Sequence, residues 1–327
     1  MKKITVIGGG TGTFVVLSGL KQYPLNLGVI VTMMDSGGST GKLRDQLGVL
    51  PPGDLRQALV ALSEAPLLWR KLFLYRFENG DFAGHNFGNL FLSALEKVST
   101  NYDEVMDTVS YVLKTKGHVF PVTYQKTNLC VEYESGSIIK GEGNIDKNYK
   151  ETSRVKKAYL EPTVLANPKA IRQLSESDFI IVGPGDMYAS IVPVLLVNGI
   201  KEALIKSSAK IIYNLNLMTK SGQTPKYKAS DHISDLEKYL GRTLDYIILN
   251  NAELPLDIVQ WYKSQHEQPV ENDLHLLSMK SKIIEADVVD KKNYSKSSAD
   301  KFVDPLVRSI LRHDSTKLAK ILKKIVI

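Results

Sequence analysis

The first apolar run of the chain, Lys3-Ile-Thr-Val-Ile-Gly8, is short, β-branched and stopped by glycine, which predicts a buried strand at residues 3–8. Phe14 to Lys21 then carries helical periodicity. A second β-branched run, Leu27 to Met34, ends at Asp35 and a loop of small residues, so a strand, glycine loop, helix and strand are complete by residue 35. Helical patterns follow over Asp54 to Glu64, Leu67 to Phe77, Asn89 to Val98 and Tyr102 to Thr115, making 54–116 helix-rich. From Gly117 to about 150 the pattern changes to alternation. Leu129-Cys-Val-Glu-Tyr133 and Ser137-Ile-Ile-Lys-Gly-Glu142 flank Ser135-Gly136, which predicts a β-hairpin insertion. Buried-strand runs resume at Asp178–Gly183, Lys210–Asn214 and Asp245–Asn250, with helices expected between them at about 190–207 and 230–241. This order predicts an α/β fold: a doubly wound, Rossmann-like, mostly parallel sheet with a helical segment and a hairpin insertion, residues 1–327 forming one domain.

Charge changes the picture only at the end of the chain. The formal net charge is +7, and Lys280 to Ile327 holds 12 Lys and Arg against 6 Asp and Glu, a net of +6. There Lys317, Lys320, Lys323 and Lys324 alternate with Leu318, Ile321, Leu322 and Ile325, as on a helix with one apolar and one solvated face, within a basic C-terminal helix expected at about 300–327. No aromatic pattern accompanies these lysines, so a solvated face is preferred to a nucleic-acid patch. Tyr294 to Ala299 is the nearest thing to a polar linker.

The content of 43% hydrophobic and 24% charged residues is ordinary globular usage. No apolar run is long enough to cross a bilayer, and the run after Lys2-Lys3 is cut at Gly8, too soon for a signal peptide. Cys130 is the only cysteine, which excludes an intrachain disulfide and a multi-cysteine metal site. A cytoplasmic protein without membrane insertion is expected, with Cys130 a buried strand residue.

In an open parallel sheet ligands bind beyond the carboxyl ends of the strands, so the strand-end loops are the candidate site. Gly8-Gly9-Gly10-Thr11-Gly12 has no bulky side chain to keep backbone N–H groups from a phosphate, and a helix start follows, so Gly9, Gly10, Thr11 and Gly12 are candidate phosphate contacts. The dinucleotide fingerprint is broken, because Thr13 and Val15 occupy the places of its third glycine, and the loop is not a Walker A motif. An NAD-dependent dehydrogenase is disfavoured accordingly. The second loop, Asp35-Ser36-Gly37-Gly38-Ser39-Thr40-Gly41-Lys42, combines a carboxylate, hydroxyls and glycines with a lysine. Asp35 is read either as a helix N-cap or as the holder of a sugar hydroxyl or Mg²⁺.

Pro51-Pro52-Gly53-Asp54-Leu55-Arg56 places Asp54 and Arg56 at a helix start. Arg56 is a candidate phosphate clamp, and Asp54 is either a cap or a site residue. His85, Asn86 and Asn89 of Gly84-His85-Asn86-Phe87-Gly88-Asn89 offer an imidazole and two amides to a base, sugar or phosphate. Gly185, Asp186 and Tyr188 sit in a third glycine loop, and Asn216 and Thr219 follow the next strand. No nucleophile elbow and no His-x-x-x-His spacing occurs, so covalent and zinc chemistry are disfavoured and no catalytic residue is assigned.

These loops, with Arg76-Phe-Glu-Asn-Gly80 and Ala229-Ser-Asp-His232, resemble the bacterial gluconeogenesis-factor family over nearly the whole chain. That family shares a superfamily with 2-phospho-L-lactate transferase, which moves a phospholactyl-type group from a guanosine diphosphate derivative to a deazaflavin with Mg²⁺. The resemblance implies a UDP-sugar-binding protein needed for growth on gluconeogenic carbon and for cell shape, signalling to a protein partner in cell-wall or carbon metabolism or assembling with itself. The alternative it implies is a Mg²⁺-dependent transferase using a nucleoside-diphosphate-linked donor. Three positions depart from the family pattern: Thr40 and Asp186 each stand in place of serine, and Gln223 in place of glutamate. Asp186 adds negative charge near a diphosphate, which Mg²⁺ or Arg56 would have to offset.

Overall fold

Ile4, Val6 and Ile7 of the first strand, β1 (Lys3–Gly8), are completely buried, as a strand covered by helices on both faces must be. A computed structural model describes residues 1–148, 151–276, 280–291 and 310–327. After β1 come α1 (Gly10–Leu20), β2 (Asn26–Val31), α2 (Gly38–Leu47), α3 (Gly53–Leu62), α4 (Leu67–Leu74), α5 (Phe87–Val98) and α6 (Tyr102–Leu113). The middle of the chain holds β3 (His118–Pro121), β4 (Asn128–Tyr133), β5 (Ile138–Lys140), α7 (Glu142–Asp146), β6 (Val155–Glu161), α8 (Pro168–Ser175) and β7 (Phe179–Val182). A π-helical turn at Met187–Ile191 leads into α9 (Val192–Leu195) and α10 (Ile200–Lys206). The described chain closes with β8 (Lys210–Asn214), α11 (Ala229–Leu240), β9 (Tyr246–Asn250), α12 (Leu256–Ser264), β10 (Lys282–Ala286) and α13 (Ser315–Val326).

Seven strands form one sheet in the order β10-β9-β8-β7-β1-β2-β3, and every neighbouring pair is parallel. The fold is therefore the expected doubly wound α/β sheet. From β1 the chain winds outward through β2 to β3, then returns to the other side of β1 with β7. The switch point, where strand order reverses, lies between β1 and β7.

The insertion differs from its predicted bounds. His118–Pro121 pairs with β2 as the edge of the main sheet, and Val155–Glu161 adds a third strand to the hairpin, giving a small antiparallel sheet ordered β5-β4-β6. The third strand escapes a hydrophobic reading because a bulge at Lys156, where the register shifts between Glu132 and Tyr133, leaves the adjacent Lys156 and Lys157 both exposed and breaks the alternation. Cys130 is buried in β4. The helix expected at 190–207 is broken into three pieces, with Pro193 in the first turn of α9 and Gly199, at φ +99°, ahead of α10.

α13 buries Leu318, Ala319, Leu322 and Val326 against the core, and it packs on α1. That docking fixes the residues just before it, Arg312 and His313. Residues 294–299 and the first part of the expected C-terminal helix, 300–309, lie outside the described residues. Among the described residues no helix is long and apolar enough to cross a membrane.

Candidate functional site

Beyond the carboxyl ends of the strands lies a cleft of about 590 Å³ that runs across the switch point. On its floor the first turn of α1 meets the loop after β7. A Cβ on Gly12 would stand 1.8 Å from the Pro184 carbonyl oxygen, so only glycine permits this approach. Asn216 holds the loop from the other side, its amide accepting from the Gly185 N–H at 3.3 Å and donating to the Gly185 carbonyl at 2.8 Å. Gln223 fixes the π-helical turn that follows, its Oε1 accepting from the Tyr188 and Ala189 N–H groups at 3.2 and 3.1 Å. Its other amide atom, Nε2, is buried without a partner among the described residues.

Three helix starts converge on the cleft: Gly10 of α1, Gly38 of α2 and Gly53 of α3. None has a side-chain N-cap, so the positive ends of their dipoles face the cleft without a capping side chain of their own. Asp54 is not a cap of α3; its Oδ1 accepts from the Gly10 N–H at 2.9 Å. Asp35 Oδ1 accepts from the Gly37 N–H at 2.9 Å in the turn before α2. Glu142, carried in by α7, accepts from the Ser36 N–H at 3.3 Å, and the Ser36 hydroxyl accepts from the Gly143 N–H at 2.9 Å. Burial, followed by the charges of Asp35 and Asp54, pushes the Glu142 carboxyl up to about 9. The carboxylates therefore draw a proton or a cation to this end of the cleft.

Cationic side chains stand around them. Arg56 is buried, its Nε donating to Asn89 Oδ1 at 2.8 Å and one terminal nitrogen to the Phe73 carbonyl at 3.4 Å. Arg76, Lys147, Lys220 and Arg312 also line the cleft. Lys220 lies 3.5 Å from both Asp146 and Glu267, tying α7 to the far wall. That wall is made of Leu217 to Lys220, Trp261, Tyr262, Gln265 and Leu311 to His313.

Of the residues singled out from sequence, Gly9, Gly10, Thr11, Gly12, Asp35, Gly37, Gly38, Ser39, Thr40, Asp54, Arg56, Asn89, Gly185, Asp186, Asn216 and Thr219 all line this one cleft. Five others do not. Lys42 is exposed on α2 away from it. His85 and Asn86 reach it only through Ser39, whose Oγ lies 3.2 Å from His85 Nδ1 and accepts from the Asn86 N–H at 3.3 Å. Asn86 is the N-cap of α5, accepting from the Asn89 N–H. Ser36 faces Gly143, and Tyr188 points into the core, where its hydroxyl donates to Asp235. Among the described residues no group of three His, Cys, Asp or Glu is placed around a common metal position.

Sequence reasoning missed the Glu142 to Lys147 wall, Trp261 to Glu267, and the Arg312-His313 pair. The first is hidden inside the hairpin insertion. The last carried a usable signal, because Asp314 caps α13 by accepting from the Thr316 and Lys317 N–H groups, and a cap marks a loop worth inspecting.

The sequence model of the 2-phospho-L-lactate transferase CofD family matches residues 4–289. A gluconeogenesis factor of Bacillus subtilis is 37% identical over 324 residues, covering 98% of this chain and 96% of that protein. One from Listeria innocua is 40% identical over 260 residues, 79% of this chain and 80% of that protein. The crystal structure of a UPF0052 family protein from Bacillus halodurans superimposes with a TM-score of 0.88 at 34% identity, covering 98% of each chain.

Proposed function

The chain belongs to the 2-phospho-L-lactate transferase CofD family, alongside the gluconeogenesis factors, and from that premise we propose that it is a regulatory factor whose cleft holds a UDP-sugar or related nucleotide. One observation carries the reading: the N-terminus of α1 opens into the cleft at the switch point, with the Pro184–Gly185 loop packed beside it. In this reading the diphosphate lies against the Thr11 and Gly12 amides. The sugar lies toward Asp35, Ser39, Thr40 and Asn89, whose carboxylate, hydroxyls and amide suit a polyol. The protein acts in the cytoplasm, supports growth on gluconeogenic carbon and cell-wall morphogenesis, and passes ligand occupancy to a protein partner or a second copy of itself. Calorimetric titration with UDP-N-acetylglucosamine, guanosine diphosphate and NAD, each with and without Mg²⁺, tests it: a UDP-sugar is expected to bind and NAD is not. If no UDP-sugar binds, the reading fails.

A second reading, a Mg²⁺-dependent transferase acting on a nucleoside-diphosphate-linked donor, is favoured by the acidic end of the cleft. Asp35 and Asp54 are hard oxygen donors, and Mg²⁺ is ordinarily held by one or two carboxylates together with phosphate oxygens, so the residues present fit the ion. Bound there, Mg²⁺ would neutralise charge on the diphosphate. Arg56 is too firmly held by Asn89 and Phe73 to swing between states, so its part is to set a fixed positive field at the cleft wall. Turnover of a guanosine diphosphate-linked donor, lost in Asp35→Asn, would favour this reading over the first.

A further inference from the structure

Trp261 stands apart from the polar lining of the cleft. It is a large aromatic side chain, 46% exposed, on the rim formed by α12, and it lines the same cleft as the α1 N-terminus. Its indole meets the Tyr262 ring at 86° with 5.0 Å between centroids. Rings so nearly perpendicular touch edge to face, so at least one indole face is left uncovered by Tyr262.

The rim is firmly built. Tyr262 is buried, and its hydroxyl accepts from the Ile310 and Leu311 N–H groups, both at 3.1 Å. The strand-end loop beside it is pinned as well: the Thr219 N–H donates to the Gln268 carbonyl at 2.7 Å, and the Gln268 N–H donates to the Thr219 hydroxyl at 2.9 Å. Gln265, one turn beyond Trp261, also lines the cleft and offers both a donor and an acceptor. Between β1, which feeds the glycine loop, and β9, which feeds α12, lie β7 and β8. Three strand spacings amount to about 14 Å, a span that an extended nucleoside diphosphate covers.

We propose that Trp261 is the stacking platform for the nucleobase of the bound nucleotide, with Gln265 reading the edge of that base. This rests on the nucleotide-binding reading of the cleft and adds the direction in which the ligand lies: phosphates on α1, base toward β9, sugar toward β2. An indole face beside a cationic, hydrogen-bonding groove suits a planar heterocycle carrying phosphate, and with the sugar held toward Asp35, Ser39 and Thr40 the indole is left to the base.

The chain has two tryptophans, and Trp69 is not part of the cleft lining. In a Trp69→Phe protein, emission therefore reports on Trp261 alone. Titration with UDP-N-acetylglucosamine and with UDP should quench it, whereas inorganic pyrophosphate and N-acetylglucosamine 1-phosphate should leave it unchanged while still registering by calorimetry. Trp261→Ala should weaken UDP-N-acetylglucosamine by about ten- to a hundredfold, the range of a lost base stack, without changing pyrophosphate affinity. Trp261→Phe should recover most of the loss. If Trp261→Ala binds the nucleotide as tightly as the parent, the base lies elsewhere and the proposal is overturned while the cleft reading stands. If the parent binds no nucleotide at all, both fall together.

Discussion

The Asp54 carboxylate accepts the Gly10 N–H at 2.9 Å across 44 residues of sequence, so the first amide of α1 is already engaged by a negative charge. A second carboxylate, Asp35, does the same to the Gly37 amide, and Glu142 completes an acidic cluster among three helix starts. Such a site holds a diphosphate weakly on its own and better when a cation accompanies it.

Asp54→Asn keeps an acceptor for the Gly10 N–H and removes one charge. Pyrophosphate or UDP-N-acetylglucosamine should then bind about tenfold more tightly without Mg²⁺, as expected for removing one partly screened repulsion. The enhancement on adding Mg²⁺ should shrink. Titration calorimetry of both proteins at two Mg²⁺ concentrations measures both effects. A variant that binds more weakly in the absence of Mg²⁺ would show that Asp54 is a direct ligand of the nucleotide.

Gly12→Val places a side chain where a Cβ alone would meet the Pro184 carbonyl at 1.8 Å. The two loops must part, at a cost of about 1–3 kcal/mol for overpacking of this kind. Denaturant unfolding should show that loss, and nucleotide binding should disappear with it. Gly37→Ala is the matched control. Its Cβ finds nothing closer than 3.5 Å, and its stability should stay near that of the parent.

Five of the seven parallel strands were legible because β-branched runs ended at glycine or at a polar residue, and the loops after β1, β2, β7 and β8 did gather at one cleft. What stayed hidden depends on contacts distant in sequence. From its neighbours alone Asp54 is either a helix cap or a site residue, since nothing nearby says that Gly10 will lie against it. Tyr188 sits in a glycine-rich loop that promises a ligand contact, yet the π-helical turn rotates it toward Asp235 and Tyr227 in the core. β10 and α12 were not anticipated: β10 has only two β-branched residues, set between Lys282 and Glu285, and α12 buries only Ile258 and Tyr262.

Acid should destabilise the fold through two histidines. His232, with both ring nitrogens unpartnered among the described residues, and His313 are buried, and burial lowers each to about 4 from 6.5. A histidine kept neutral by folding contributes stability that is whole above pH 6.5, the unfolded value, and is lost as the pH falls toward 4. Each such loss is at most about 3 kcal/mol. Urea midpoints between pH 7.5 and 4.5 should fall with decreasing pH, and less steeply in His232→Phe. Equal slopes in the two proteins would remove His232 from the acid response.

Arg56→Lys tests the fixed field at the cleft wall. A lysine cannot reproduce the planar fork that engages Asn89 and Phe73, and a buried acceptor left without its donor costs about 1–3 kcal/mol. Thermal unfolding should show a clear loss of stability, with nucleotide affinity falling as Asn89 is released. An unchanged melting temperature would mean that the guanidinium fork is dispensable to the fold.

The most direct measurement is a crystal structure of the protein with UDP-N-acetylglucosamine and Mg²⁺. Diphosphate density is expected against the Thr11 and Gly12 amides, over the seam in the switch-point crevice where α1 packs on the Pro184–Gly185 loop. Density for the diphosphate anywhere outside that switch-point crevice would contradict that expectation.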